Sequence, residues 1–190
     1  HCEHTRERCG AMSCQTAKNR VADVFGNALG RFADSIQVMP MADKQLSVFV
    51  TTYNNGRTLS ACLESVKWAD EIVVLDSFSA DDTLAIAHRY GARTAQHAFM
   101  GYGPQKRMAL AATTHDWVLL LDADEVLSPA LQAEICQLLG RGGPAADGYE
   151  IPRQEQLFWR MYSAATRMNY YLRLFDKRKG IIDDMPVHAA

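Results

Sequence analysis

Asp122 and Asp124 stand one residue apart at the end of the run Trp117-Val118-Leu119-Leu120-Leu121, and Glu125 follows directly. Five apolar residues in a row suit a fully buried strand. Side chains alternate along an extended chain, so the two aspartates are expected on the same side. Two carboxylates on one side of a buried strand end repel each other unless a cation lies between them. A hard divalent ion with oxygen ligands, Mg²⁺ or Mn²⁺, suits that arrangement, which makes Asp122 and Asp124 the candidate metal ligands. Glu125 is expected to point the other way and to support the turn rather than the chemistry.

Other polar groups recur at comparable positions. Asp76 ends the run Ile72-Val73-Val74-Leu75 and is a candidate acceptor for the base or ribose of a ligand. Thr51, Tyr53 and Asn54 close an earlier β-branched and aromatic run. Lys106 lies near the start of an expected helix, where a cation is mildly unfavourable against the helix dipole, so a phosphate contact is its functional reading. Arg173, inside the short apolar run Leu172–Phe175, offers a planar fork that matches phosphate. Asp183 and Asp184 fall on a late loop. His1, Cys2, His4, Cys9 and Cys14 match no firm zinc-ligand spacing. No glycine-rich dinucleotide fingerprint or P-loop lysine occurs, so neither a dinucleotide redox enzyme nor an ordinary NTPase gains support.

The elements that must position these groups alternate. Strands are expected at Leu46–Tyr53, Ile72–Asp76, Arg93–Gln96 and Trp117–Leu121. Helices are expected at Thr58–Val66, from a capping box at Ser79 and Asp82 to about Tyr90, from Pro104 to about Ala112, and from Ser128-Pro129 to Leu139. Gly91 is expected to end the second helix. Continuous apolar strands separated by helices indicate an α/β fold, a mostly parallel sheet with helices on both faces. Ligands bind outside the carboxyl ends of such strands. Thr51–Asn54, Asp76–Ser79 and Asp122–Asp124 all lie at those ends and converge on one crevice. A small mixed extension is expected beyond Gly148: a strand at Tyr149–Ile151, another at Leu172–Phe175, and Ile181-Ile182 as the hairpin partner of the latter. Between them, the aromatic, methionine-rich and basic stretch Phe158–Asn169 reads as buried core, with a lid or a membrane-facing patch as alternatives.

A chain of 190 residues suggests one domain, with or without an appendage. A net charge of −2 gives no reason to expect nucleic-acid binding. No apolar run is long enough to span a bilayer. Five cysteines, three of them before residue 15, do not form a disulfide framework, so a reducing cytoplasm is expected. Residues 1–44 are polar and lack a strand pattern. They read as a poorly structured or non-native extension with a short helix at Val21–Phe32, ahead of a domain at 45–190. The natural chain is expected to continue past Ala190.

Several stretches, taken together and in order, resemble the family 2 glycosyltransferases of the GT-A fold. They are Leu46–Asn55, Cys62-Leu63-Glu64-Ser65, Ala69–Ser77, Gly103-Pro104-Gln105-Lys106 and Asp116–Glu125. The chain is most similar to the bacterial branch that adds glucose or a related sugar to the lipopolysaccharide core. That resemblance implies a GT-A type Rossmann-like sheet, a nucleotide-sugar donor that is UDP-linked, inversion at the anomeric carbon, and a glycan or glycolipid acceptor. It implies that Thr51, Tyr53 and Asp76 hold the nucleoside, that Lys106 contacts the nucleotide, and that Asp122 and Asp124 handle the diphosphate through a divalent metal. An acceptor hydroxyl then needs a general base. The branch often has glutamate after the segment matching Pro186-Val187-His188, and aspartate before Tyr170–Phe175. Here Ala189 and Asn169 occupy those places, so Asp183 or Asp184 is a candidate substitute base, with a base in sequence expected past Ala190, or a weakened enzyme, as the alternatives. A cytoplasmic location with peripheral contact at the inner face of the bacterial inner membrane follows from a lipid-linked acceptor. Polyprenyl-phosphate sugar transfer and nucleotidyl transfer use the same fold. A receiver-like signalling domain, phosphorylated on Asp76, is the reading from a different class.

Overall fold

Apolar runs become strands and helical spacing becomes their cover in the computed structural model, which describes residues 44–140, 143–154, 156, 157, 160, 161, 169–180 and 182. The elements are β1 (Leu46–Thr52), α1 (Leu59–Val66), β2 (Glu71–Asp76), α2 (Thr83–Arg89), β3 (Arg93–Gln96), α3 (Tyr102–Ala111), β4 (Trp117–Asp122), α4 (Pro129–Leu139), β5 (Gly148–Arg153), β6 (Gln156–Leu157), β7 (Arg160–Met161) and β8 (Asn169–Asp176). Six strands form one sheet in the order β3-β2-β1-β4-β8-β5, and β6 pairs with β7. The β3-β2-β1-β4 part is parallel, whereas β8 runs antiparallel to both β4 and β5. The expected α/β architecture with a mostly parallel sheet is therefore observed.

Strand parity divides the core into two layers. Val48, Val50, Val74, Leu119 and Leu121 face α1, α2 and α4 through Leu59, Leu63, Ile86 and Ile135. Phe49, Val73, Val118 and Leu120 face the other way, with Ala109 of α3 and Phe175 of β8. Helices thus cover both faces. By the same alternation, Thr51 and Asp122 continue the layer under α3, whereas Asp76 continues the layer under α1 and α2.

Helix ends follow local chemistry. The side chain of Ser128 accepts from the Leu131 N–H at 3.2 Å, and Pro129 opens α4 without needing its missing donor. Gly91, at φ 69, ends α2 in a left-handed cap, with its N–H on the His88 carbonyl at 3.0 Å and the Ala92 N–H on Ala87 at 3.1 Å. The start of α2 differs from expectation. Its N-cap is Asp82, which makes no side-chain cap bond. Ser79 does not form a capping box, because its N–H and hydroxyl both donate to Asp76, at 2.9 and 2.5 Å. Asp81 takes over, accepting from the Thr83 N–H at 3.0 Å.

The segment after Gly148 also differs. The small mixed extension expected there is joined to the main sheet through β8 and β5. β8 covers Asn169–Asp176, twice the expected length, and its partners are β4 and β5. Ile182 is in no strand; it packs on the α3-side core, and its carbonyl accepts from Arg107 Nη1 at 3.3 Å. Ile181 lies outside the described residues, as do the expected helix Val21–Phe32, the amino-terminal cysteine and histidine cluster, most of the stretch Phe158–Asn169 read as buried core, and Pro186-Val187-His188.

The amino end of the parallel strands, away from the site, is tied by Glu71. Its carboxylate accepts from Ser47 Oγ at 2.5 Å and from Thr114 N–H and Oγ at 2.7 and 2.8 Å, with Arg93 at 3.2 Å. Burial opposes its ionisation, but these donors outweigh that and lower its pKa from 4.5 to about 2. A folded-state value below the unfolded one contributes stability above the unfolded value and loses it as pH falls. Acid unfolding should therefore steepen between pH 4.5 and about 2. Glu71→Gln is expected to remove about 1–2 kcal/mol at neutral pH and to flatten that acid limb, as read by denaturant titrations over pH. An unchanged limb would show that Glu71 carries no such linkage.

Candidate active site

The carboxyl ends of β1, β2 and β4 lie side by side. Thr51 is in register with Asp122 of β4 and Leu75 of β2, and Thr52 with Asp76. Around Asp122 the charges interlock. Its Oδ1 lies 2.9 Å from Lys106 Nζ, which descends from α3. Its Oδ2 accepts from Arg173 Nη2 at 3.1 Å, and the same Nη2 donates to Glu125 Oε1 at 2.7 Å. Glu125 Oε2 accepts the Asp122 backbone N–H at 3.0 Å, closing the turn with the Glu125 N–H on the Asp122 carbonyl at 2.9 Å. Arg153 Nη1 stands 3.6 Å from Glu125, and the ring of Tyr171 lies under both guanidiniums, 5.0 Å from Arg153 Cζ and 5.6 Å from Arg173 Cζ. Burial would raise the Asp122 pKa, but Lys106 first and Arg173 next lower it, so Asp122 is ionised.

Arg173 reaches this position through an irregularity. Tyr149 pairs with Leu174 and Glu150 with Leu172, so the β5–β8 register skips Arg173. Bulges re-aim side chains and break ladder pairing locally. Arg173 is only 7% exposed, and its Nη1 has no hydrogen-bond partner among the described residues. A buried guanidinium with one edge committed and one edge unused has donors to spare for an anionic ligand.

The carboxylate pair thus behaves differently from expectation. Asp122 and Asp124 were expected to share one cation. In the structure an ammonium and a guanidinium already neutralise Asp122, and both of its oxygens are engaged. Asp124 follows it in the turn, is exposed, and makes no hydrogen bond or ion pair among the described residues. Among those residues no group of three or more His, Cys, Asp or Glu side chains forms a metal cluster. This donor set still fits Mg²⁺ or Mn²⁺, which commonly bind through one or two carboxylates plus substrate phosphates and water. Asp124 is the available ligand, with Asp122 behind it. Glu125, Asp124 and Asp122 together add to the effect of burial on Cys62, whose thiol is pushed up to about 12 and is inert.

The other predicted residues fall into two groups. Thr51 is half-buried on the Asp122 face, and Tyr53 is exposed just beyond it. Asn54, at φ 52, donates its N–H to Ser79 Oγ at 2.7 Å and accepts the Ala80 N–H at 2.9 Å, which laces the β1 loop to the β2 loop. Asp76, expected to meet a base or ribose, is fully buried. Its oxygens accept Ser79 N–H and Oγ and Gln96 Nε2, the last at 3.0 Å. It shapes the loop from within. A receiver-like role would need an accessible Asp76 carboxylate, which the structure does not offer. Gln105, buried beside Lys106, donates to Ser77 Oγ at 2.9 Å and to the His97 carbonyl at 3.2 Å, joining α3 to the same loop. Glu125 has the supporting role at the turn that was expected of it, and its pairing with Arg173 is an addition; Gln105 was not singled out. Glu125 sits one residue past the alternating pair, and only the turn at the strand end brings it back. Asp183 and Asp184 lie outside the described residues.

A family model described as Glycosyl transferase family 2 matches residues 47–190. The "Lipopolysaccharide core biosynthesis glycosyltransferase LpsC" of Rhizobium meliloti is 32% identical over 144 residues, covering 73% of this chain and 53% of that protein. An "Uncharacterized glycosyltransferase RC0292" of Rickettsia conorii is 43% identical over 93 residues, 48% of this chain and 33% of that one. The chain therefore spans between a third and about half of the length of these relatives. Among solved structures, the Mycobacterium tuberculosis glucosyl-3-phosphoglycerate synthase in complex with Mn²⁺, UDP and phosphoglyceric acid aligns with a TM-score of 0.40 and 30% identity, over 44% of this chain and 34% of that one.

Proposed function

We propose, from the premise that this chain belongs to glycosyl transferase family 2, that it binds the donor of an inverting sugar transfer, a UDP-linked sugar. The observation that carries this reading is the interlocked Asp122, Lys106 and Arg173 at the end of β4, with the unengaged Asp124 beside them. Breaking a sugar–phosphate bond builds negative charge on the leaving diphosphate. Lys106 and Arg173 are cations fixed where that charge would develop, and Arg173 keeps the Nη1 edge for a phosphate oxygen. Asp122 holds both cations in place. A divalent ion bound at Asp124 would neutralise further charge on the diphosphate. Thr51 and Tyr53 flank the nucleoside, and Asn54 and Asp76 fix the loops that surround it. Asp183 or Asp184 is the proposed base for the acceptor hydroxyl.

The acceptor is proposed to be a lipopolysaccharide-core or other cell-envelope glycan, by likeness to the Rhizobium protein, whose name assigns it to that synthesis. Peripheral contact with the inner face of the inner membrane follows if that acceptor is lipid-linked. Among the described residues, no helix is long and apolar enough to cross a membrane.

Titration calorimetry with UDP, with and without Mn²⁺, tests the donor reading. Binding that strengthens with Mn²⁺ is expected. Absence of UDP binding under both conditions would overturn it.

A further inference from the structure

The loops after β1 and β2 carry a strain that the reading above leaves unused. Among the described residues, Asn54 and Phe78 are the non-glycine residues with positive φ, at 52 and 61. Asparagine visits that region readily. A bulky side chain stays there only where its surroundings force it. Here both neighbours of Phe78 are pinned. The Ser77 N–H donates to the Thr52 carbonyl at 2.9 Å, and Ser77 Oγ accepts from Gln105. Ser79 is held by Asp76 and itself accepts the Asn54 N–H. Packing does not repay the strain, because Phe78 is 58% exposed. Tyr53, on the loop laced to it, is 61% exposed. A conformation that is costly, over-determined and not offset by burial points to a ligand contact.

We propose that Phe78 is a nucleobase-contacting residue of the donor site, acting beside Tyr53. The inference rests on the donor reading above and adds to it where the base lies and what holds it. β2 and β4 flank β1, so their loops stand about 10 Å apart at the usual strand spacing. A diphosphate at Asp122 and Asp124 places the ribose over the end of β1 and the planar base at the end of β2, where Phe78 is. Aromatic side chains take bases by stacking on their π faces, whatever the hydrogen-bonding edge.

Phe78→Gly and Phe78→Tyr, measured against the unmodified chain with UMP in the absence of metal and with UDP plus Mn²⁺, test the proposal. Glycine adopts φ 61 without a Cβ penalty, so Phe78→Gly should melt at or above the wild-type temperature. Its affinity for both nucleotides should fall about 10-fold, the loss of one base–aromatic stack, whereas Phe78→Tyr should keep wild-type affinity. A Phe78→Gly protein that binds UMP as tightly as wild type overturns the base contact and leaves the donor reading intact. So does one whose melting temperature falls together with its affinity, since that marks a structural role. A wild-type chain that binds neither nucleotide overturns the donor reading itself, and the base contact with it.

Discussion

Asp124→Ala is expected to remove the Mn²⁺-dependent part of UDP affinity while leaving the melting temperature within about 2 °C of wild type. Asp124 is exposed and makes no hydrogen bond or ion pair among the described residues, so its truncation breaks nothing in the folded chain. Its proposed role lies wholly with the bound ion. Losing one electrostatic stabiliser of the leaving group typically lowers turnover about 10²–10³-fold. Asp122→Asn should differ in its effect on stability. It weakens two fixed ion pairs at once, to Lys106 at 2.9 Å and Arg173 at 3.1 Å, so it should lower the melting temperature as well as the affinity. Calorimetry with UDP at several Mn²⁺ concentrations, beside thermal unfolding of each variant, separates the two. Equal Mn²⁺ dependence in wild type and Asp124→Ala would remove Asp124 from the metal role. Unfolding of Asp124→Ala far below wild type would show a structural duty that its exposure does not suggest.

Glu125→Ala is expected to be the most destabilising single change at the site, by about 2–4 kcal/mol. Glu125 is 17% exposed and Arg173 only 8% by side chain, so the pair is largely out of water. Removing the carboxylate deletes the shortest contact of a buried guanidinium. It also leaves the Asp122 N–H without its acceptor and takes a partner from Arg153. The remaining carboxylate, Asp122, must then balance Arg173 and Lys106 together. For a domain of this size the melting temperature should fall by roughly 5–15 °C. Glu125→Gln keeps an acceptor for the Asp122 N–H, so it should recover part of the loss. If Glu125→Ala melts like wild type, the charge on Arg173 is balanced from elsewhere.

The parallel half of the fold was legible because each strand there is an unbroken apolar run between helices with helical spacing. Leu46–Thr52 and Trp117–Asp122 could be placed almost to the residue for that reason. Asp122 was legible as a special position, because a charge at the end of such a run has few innocent explanations. What held it in place was not. The partners of Asp122 come from α3 and from β8, 16 and 51 residues away in the chain, and no local pattern announces them. Arg173 is aimed by a register shift between two strands, which belongs to the pairing rather than to either sequence. The intramolecular partners of Asp76 were not legible either. A strand-end aspartate suits a ligand, but Ser79 three residues on offers two donors, and the buried carboxylate takes the nearer partners. Phe78 gave no signal, since its positive φ follows from hydrogen bonds made by its neighbours.

The antiparallel docking of β8 on β4 has a consequence for how the protein is made. Until β8 arrives, β4 is the outer strand of a parallel sheet, and its exposed ladder is flanked by Trp117, Val118 and Leu119. Unpaired apolar edges invite pairing with other chains. The ribosome must add about 50 residues between Asp122 and Arg173, roughly 3–10 s of synthesis at ordinary rates. During that interval the β4 edge is unpaired, and the chain lacks the guanidinium that completes the Asp122 cluster. Protection of that edge and completion of the Asp122 cluster with Arg173 are then one event.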